Sequence, residues 1–221
     1  MITLHHCVSA RSFRILWMLE ELGLDYKLVM HDFPPRHLEK DYKEINPLGT
    51  VPAFYDESVF MTESSAVCQY LADRYPAKKM SVGVMEPGYG CYLNFLHFGE
   101  ATLTFPQTLI LRYKYFEPLE RRLDQVAIDY ERWFLSRLKI INEKLLTGDY
   151  VCCGRFTAAD ISVGYSLMLA SYLDMEGKFG DGVKSYWDML RGRDAYIRSL
   201  KVQEGEARRQ GVSLVASPCI R

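Results

Sequence analysis

The sequence lacks the features that identify several classes of protein. It has no run of about 18 apolar residues, so we expect no membrane span. Its 27 basic and 28 acidic side chains give a net charge of −1, which argues against a basic surface for nucleic acid or for an anionic membrane. The first residues lack a basic segment followed by a short apolar core, so we predict no signal peptide.

Cysteine is present, but its spacing is not that of a redox pair or a zinc site. No Cys-x-x-Cys pair occurs among the six cysteines. Free thiols in a reducing cytosol are the simplest interpretation, and we expect a cytoplasmic protein. His5, His6 and Cys7 alternate between the two faces of a predicted strand, and no second ligand pair has zinc spacing. We therefore predict no metal site.

The first third of the chain alternates between strand and helix patterns. Segments 2–6 and 25–30 predict strands, and apolar residues at helical spacing from Ser12 predict a helix between them. This order is typical of a parallel βαβ unit. Apolar runs on either side of residues 56–58 predict a hairpin, and residues 64–75 predict a further helix.

The rest of the chain has helical periodicity. We predict long helices over residues 89–116 and 119–146, with Pro106 kinking the first. An almost entirely apolar stretch from Thr157 to Tyr172 predicts a helix that is buried on all sides. Thr157 and Asp160 have the spacing of a capping box, a purely structural feature.

Composition changes between these two parts and suggests a domain division. Residues 77–88 lose all periodicity and contain glycine and proline. We predict a first domain over residues 1–78, a linker over 79–88, an all-helical domain over 89–209 and a tail over 210–221.

Three motifs, in this order, resemble the cytosolic glutathione transferases. Residues 46–54 (NPLGTVPAF) and 61–66 (MTESSA) are similar to the part of that family's first domain that binds glutathione. Residues 156–161 (FTAADI) resemble the start of the central helix of its second domain. The resemblance covers nearly the whole chain. It implies an α/β plus all-α fold, in which a thioredoxin-like domain precedes a C-terminal helical bundle.

The resemblance assigns glutathione binding to two short segments. It implies a cis bond before Pro52, which turns the backbone N–H and carbonyl of Val51 toward the cysteinyl part of glutathione. Thr50 and Pro52 are the neighbouring glutathione-binding residues that it implies. Taken alone, Pro52 is an ordinary proline of an edge strand. Glu63 and Ser64 lie at a strand-to-helix junction, where free N–H groups bind a carboxylate and Glu63 can pair with an ammonium. The alternative is a plain helix cap.

In this family the residue that meets the glutathione sulfur lies in the turn after the first strand. The serine expected there aligns with Ala10, so the resemblance leaves this role open. A thiol of pKa about 8.5 is only about 3% ionised at pH 7, and one hydrogen bond of about 1.5–3 kcal/mol is enough for half-ionisation. We predict Ser9 first and Ser12 second as the donor, assisted by Arg11. The alternative is that these residues only cap the helix.

The predicted reaction is conjugation of reduced glutathione to an apolar electrophile by thiolate attack. Phe105, Arg112 and Tyr113 on the aromatic first long helix are the candidate electrophile contacts. The resemblance implies a homodimer, with glutathione as co-substrate and no cofactor. Two alternatives remain. One is thiol transfer or reduction through Cys7, and the other is a non-catalytic protein that binds glutathione as a scaffold.

Overall fold

The chain folds into two compact units. A computed structural model describes residues 1–219. Unit 1 comprises Met1–Lys78 together with residues 192–219, and unit 2 comprises Lys79–Arg191. Unit 1 contains a four-stranded sheet with helices, and unit 2 is helical. The predicted fold class, a thioredoxin-like α/β domain followed by a helical region, is therefore confirmed.

The sheet of unit 1 is mixed. Its strands are β1 (Ile2–His6), β2 (Tyr26–Met30), β3 (Ala53–Asp56) and β4 (Val59–Met61). They lie in the order β2-β1-β3-β4, with β1 parallel to β2 and antiparallel to β3. This topology confirms the predicted βαβ unit and, between β3 and β4, the predicted hairpin. Leu4 pairs with both Leu28 and Phe54 and is fully buried, which places the centre of the core at β1.

Four α-helices of unit 1 precede the boundary with unit 2, and a 3-10 turn, Pro76–Lys78, follows them. They are α1 (Phe13–Leu22), α2 (Pro35–Leu38), α3 (Tyr42–Ile45) and α4 (Ser64–Arg74). Every residue from Phe13 to Leu19 is buried in α1, and α4 packs against this helix. Gly23 ends α1 in the left-handed conformation, and its N–H donates to the Leu19 carbonyl.

Unit 2 consists of helical segments. Its α-helices are α5 (Tyr89–His97), α6 (Phe105–Leu111), α7 (Asp124–Leu145), α8 (Ala158–Tyr172) and α9 (Asp181–Arg191). The predicted helix over residues 89–116 is divided by wider π-helical turns at Phe98–Thr104 and Arg112–Phe116. Pro106 lies in the first turn of α6, where a missing N–H is tolerated. Across residues 1–219, none of the helices combines the length and hydrophobicity needed to cross a membrane.

The central helix α8 begins with the predicted capping box. Asp160 accepts hydrogen bonds from the Thr157 N–H (2.8 Å), the Val151 N–H (3.1 Å) and the Tyr186 hydroxyl (2.8 Å). The Thr157 hydroxyl also donates to Asp160 at 3.1 Å, and in the reciprocal bond the Asp160 N–H donates to the Thr157 side chain. Residues from Ala158 to Ala170 are buried, as the apolar pattern predicted. Burial raises the pKa of Asp160 to about 6, although its four donors oppose this shift.

The last helix, α10 (Asp194–Gln210), belongs to unit 1. The sequence pattern instead placed residues up to 209 in the all-helical domain. Helix α10 packs against α1 through two ion pairs. Arg193 contacts Glu21 through two nitrogens at 2.6 and 2.9 Å, and Arg198 contacts Glu20 at 3.0 Å. These partners are more than 170 residues apart in sequence, so helical periodicity alone could not assign α10 to a domain.

Two other predicted boundaries also differ from the structure. Met80 and Val82 of the expected linker are buried in unit 2, and the Met80 carbonyl accepts a hydrogen bond from the Ala158 N–H at 2.9 Å. In the expected tail, Ser217 and Pro218 are buried in unit 1. These four residues therefore pack within their units, and the last two positions of the expected tail, 220 and 221, lie outside the described residues.

Candidate functional site

The loop between α3 and β3 is held by a buried asparagine. The Asn46 side-chain amide donates to the carbonyl of Thr50 at 2.6 Å and to that of Pro52 at 3.4 Å. Its oxygen accepts from the Leu48 N–H at 3.1 Å, and the Tyr42 hydroxyl donates to the Thr50 carbonyl at 2.9 Å. The backbone on both sides of Val51 is therefore fixed. The sequence indicated a turn here, and the bracing role of Asn46 appears only in the structure.

The backbone of Val51 has two hydrogen-bonding groups that stay available within the described part of the chain. The Val51–Pro52 bond is cis, as the resemblance implied. Among residues 1–219, none forms a hydrogen bond with the N–H or the carbonyl of Val51. Its side chain packs in one cluster with Cys7, Ala10 and Tyr42. An extended peptide could pair with these two groups, in the manner of an added strand, next to the turn that contains Ala10.

The second predicted binding segment lies at the start of α4. Glu63 is the N-cap residue and is exposed, and its side chain makes no capping hydrogen bond. The first N–H groups of α4 and the helix dipole therefore favour an anion. Arg14 of α1, fully buried, donates from Nη1 to Ser64 Oγ at 3.1 Å. Because Ser64 Oγ accepts this bond, its own hydroxyl proton is directed elsewhere and can be donated to a carboxylate.

The predicted catalytic residues lie together in the turn between β1 and α1. Ser9 and Ser12 are fully buried, Ala10 is nearly so and Arg11 is half-buried. Ser12 Oγ lies 2.7 Å from His6 Nδ1, and Ser9 Oγ accepts from Gln203 Nε2 at 3.3 Å. Both hydroxyls therefore face the interior, which differs from the expectation that one of them faces a bound thiol.

His6 and Gln203 complete this buried network, and sequence reasoning missed both. Gln203 Oε1 lies 3.0 Å from His6 Nε2 and 3.0 Å from the Ser9 backbone nitrogen. Burial lowers the pKa of His6 to about 4, so the ring is neutral at pH 7. The neighbouring His5 contacts another histidine: His5 Nδ1 is 2.8 Å from His31 Nε2. No spacing in the sequence indicated either arrangement.

Cys7 does not have the environment of a reactive thiol. It is fully buried, and its sulfur is directed toward the Asp32 carbonyl at 3.8 Å. Burial, with smaller contributions from Glu39 and Asp32, raises the pKa of Cys7 far above its ordinary value. A nucleophilic cysteine needs the opposite, a lowered pKa and an accessible sulfur. The structure therefore disfavours the reaction through Cys7.

The predicted electrophile contacts lie in unit 2. Phe105 is 55% exposed at the start of α6. Arg112 follows seven residues later, pairs with Glu117 at 2.8 Å and lies over the ring of Tyr113 at 5.4 Å. Arg112 and Tyr113 therefore form one aromatic and basic contact, in the π-helical turn that follows α6.

No group of three metal-ligating side chains is found within residues 1–219 in an arrangement that could hold an ion. The six cysteines, Cys219 included, are unpaired.

Known proteins that are similar to this chain belong to one family. Residues 4–79 match the family model for the N-terminal domain of glutathione S-transferases. Glutathione S-transferase 3 of Schizosaccharomyces pombe is 28% identical over 92% of this chain and 89% of its own length. Glutathione S-transferase GstA of Escherichia coli O157:H7 is 31% identical over 64% of this chain and 69% of its own.

A solved structure shares the fold. A sphingomonad glutathione S-transferase, complexed with glutathione, superposes with a TM-score of 0.79 at 23% identity, covering 91% of this chain and 98% of the other. Sequence relatives, the matched family model and the fold thus agree, and the chain belongs to the glutathione S-transferase family.

Proposed function

We propose that this protein binds reduced glutathione on unit 1 and transfers it to an apolar electrophile. The observation that carries the proposal is the pair of unused backbone groups of Val51, fixed by Asn46 beside Ala10. The cysteinyl residue of glutathione pairs with these groups. The thiol side chain of this cysteinyl residue then lies at the turn between β1 and α1.

The γ-glutamyl end of glutathione binds at the start of α4. Its carboxylate accepts from the first N–H groups of α4 and from the Ser64 hydroxyl, and Arg14 orients that hydroxyl. Its ammonium pairs with Glu63, which is exposed and adjacent. Membership of the family supports this assignment, since the predicted motifs around Pro52 and Ser64 lie within the matched residues.

The thiolate is stabilised by charge from the turn. Half-ionisation at pH 7 needs a shift of about 1.5 pKa units, or about 2 kcal/mol. The positive end of α1 contributes about 0.3–1 kcal/mol, and the positive charge of Arg11, a half-buried residue of the turn, contributes the rest. Ser9 and Ser12 stay part of the proposed machinery, but they act by holding the turn through His6 and Gln203.

In the reaction, the thiol proton leaves to solvent and the sulfur attacks the electrophilic carbon. A carbon–sulfur bond forms, and with an aromatic halide the carbon–halogen bond breaks and halide leaves with the electron pair. Phe105, Arg112 and Tyr113 are the proposed electrophile contacts. We further propose a cytoplasmic homodimer, because the resemblance implies one and free cysteines suit a reducing compartment.

The test combines retention on immobilised glutathione with turnover of an aromatic halide. We expect retention and turnover, unchanged turnover in Cys7→Ser, and lower kcat/KM in Arg11→Gln. One second candidate is favoured by the inward-facing Ser9 and Ser12 hydroxyls: a non-catalytic glutathione-binding scaffold. Retention without turnover of any electrophile or disulfide would support the scaffold, and no retention would refute both.

A further inference from the structure

The C-terminal part of unit 1 reaches back to the turn between β1 and α1. Gln203, on α10, is buried and contacts Ser9 twice: Oε1 accepts from the Ser9 N–H at 3.0 Å, and Nε2 donates to Ser9 Oγ at 3.3 Å. Its Oε1 also lies 3.0 Å from His6 Nε2. One side chain therefore fixes both the backbone and the hydroxyl of Ser9.

The hydrogen-bond partners in this network determine where the protons of His6 and Ser12 lie. Because Gln203 Oε1 can only accept, His6 carries its proton on Nε2 and donates it. His6 Nδ1 is then an acceptor, and the Ser12 hydroxyl donates to it at 2.7 Å. Ser12 is the residue from which α1 begins, so the network joins α10 to both Ser9 and the start of α1.

A second contact from the C-terminal segment holds the residue before Ser9. The carbonyl of Val8 accepts the N–H of Ser217 at 2.7 Å and the hydroxyl of Ser217 at 2.8 Å. Ser9 has φ +57°, a left-handed conformation that is unfavourable for a residue other than glycine. Such a conformation persists where its surroundings hold it, and here Gln203 and Ser217 do so.

We propose that Gln203 and Ser217 are positioning residues for thiol activation, which hold the Val8–Ser12 turn so that Arg11 and the start of α1 face the glutathione sulfur. Neither residue touches the substrate. The inference rests on the proposed function, because it concerns the same bound thiol. It adds that activation in the first domain depends on the last residues of the chain.

The chain offers a matched control on the same helix. Gln210 lies two turns after Gln203 and also braces backbone: its Oε1 accepts from the Met30 N–H at 2.9 Å, and its Nε2 donates to the Leu28 carbonyl at 3.0 Å. It acts on the edge strand β2, away from the turn between β1 and α1. Gln210→Met therefore removes similar bonds from a place with no proposed role in activation.

The test measures the pKa of the glutathione thiol bound to the full-length protein, from thiolate absorbance against pH, together with glutathione affinity and kcat/KM for an aromatic halide. In Gln203→Met we expect the bound-thiol pKa to rise by about 0.5–1 unit. We expect kcat/KM to fall about 10-fold, as for other small misplacements of reacting groups, while the glutathione Kd changes less than about 2-fold. Gln210→Met should match the parent in all three measurements.

Ser217 provides an independent pair of variants if Gln203→Met does not fold. Ser217→Ala keeps the backbone bond to Val8 but loses the hydroxyl bond, so it should also raise the bound-thiol pKa. Ser217→Thr retains a hydroxyl and should keep that pKa at the parent's value. A bound-thiol pKa in Gln203→Met or Ser217→Ala equal to that of the parent would overturn the inference, even if stability fell. If the parent itself bound no glutathione, the proposed function would fail too, so the two failures are distinguishable.

Discussion

Removing the hydroxyl of Ser64 tests the proposed recognition of the γ-glutamyl carboxylate. In the parent, Arg14 Nη1 donates to Ser64 Oγ at 3.1 Å, which leaves the hydroxyl proton for the ligand. A hydrogen bond to a charged group contributes about 1.5–3 kcal/mol. Ser64→Ala should therefore raise the Kd of glutathione roughly 10- to 100-fold. Ser64→Thr, which retains the hydroxyl, should bind within a few-fold of the parent.

The assay is titration calorimetry with two ligands. One is glutathione, and the other is γ-aminobutyryl-cysteinyl-glycine, which lacks only the carboxylate in question. The parent should bind this analogue more weakly than glutathione, and Ser64→Ala should bind it no more weakly than the parent does. Ser58→Ala, an exposed position in the β3–β4 turn, is the control for general effects of the substitution.

Equal weakening of both ligands in Ser64→Ala would contradict a direct contact between Ser64 and the carboxylate. It would mean that Ser64 acts through the fold, because Arg14 is left buried without one of its acceptors. Unfolding in urea separates these outcomes. Direct contact is supported if Ser64→Ala weakens the binding of glutathione but not of the analogue, and if its free energy of unfolding is nearly unchanged.

Three further predictions concern the site's support and the stability of the two units. Asn46→Ala leaves buried carbonyls unpaired, so it should lower the free energy of unfolding by about 1–3 kcal/mol and also weaken glutathione binding in calorimetry. Thr157→Ala should cost about 1 kcal/mol in urea unfolding and leave glutathione affinity unchanged, and altered affinity would contradict a purely structural capping box. His6 has a pKa lowered to about 4 in the folded protein. The free energy of unfolding that its neutral ring contributes is therefore complete above pH 6.5 and is lost as pH falls toward 4. Between pH 7 and 5 the parent should lose about 2 kcal/mol more than His6→Gln, and equal losses would refute this.

Local patterns in the sequence were sufficient for the elements of unit 1. The β-branched and apolar residues of β1 and β2, and the apolar spacing of α1, depend on neighbours within about 20 residues, which a periodicity argument can detect. The motif around Pro52 and the Glu63–Ser64 junction likewise lie in short segments. Their positions in the structure agree with the resemblance that identified them.

Long-range polar contacts could not be predicted in the same way. Arg14 looks like a solvated charge on a helix, but it is fully buried against Ser64, 50 residues later. Gln203 contacts Ser9 from 194 residues away, and a glutamine near the end of a polar helix carries no signal for that. The orientation of the Ser9 and Ser12 hydroxyls follows from these distant partners. For this reason the expectation that they face a ligand differs from the structure.

We propose that glutathione lies between Val51 and the start of α4, with its sulfur at the Val8–Ser12 turn. A crystal structure of the protein with glutathione would test this binding mode. We expect two backbone hydrogen bonds between Val51 and the cysteinyl residue, the γ-glutamyl carboxylate on Ser64 and the sulfur nearest Ala10 and Arg11. A tripeptide bound elsewhere, or one whose carboxylate lies away from α4, would contradict it.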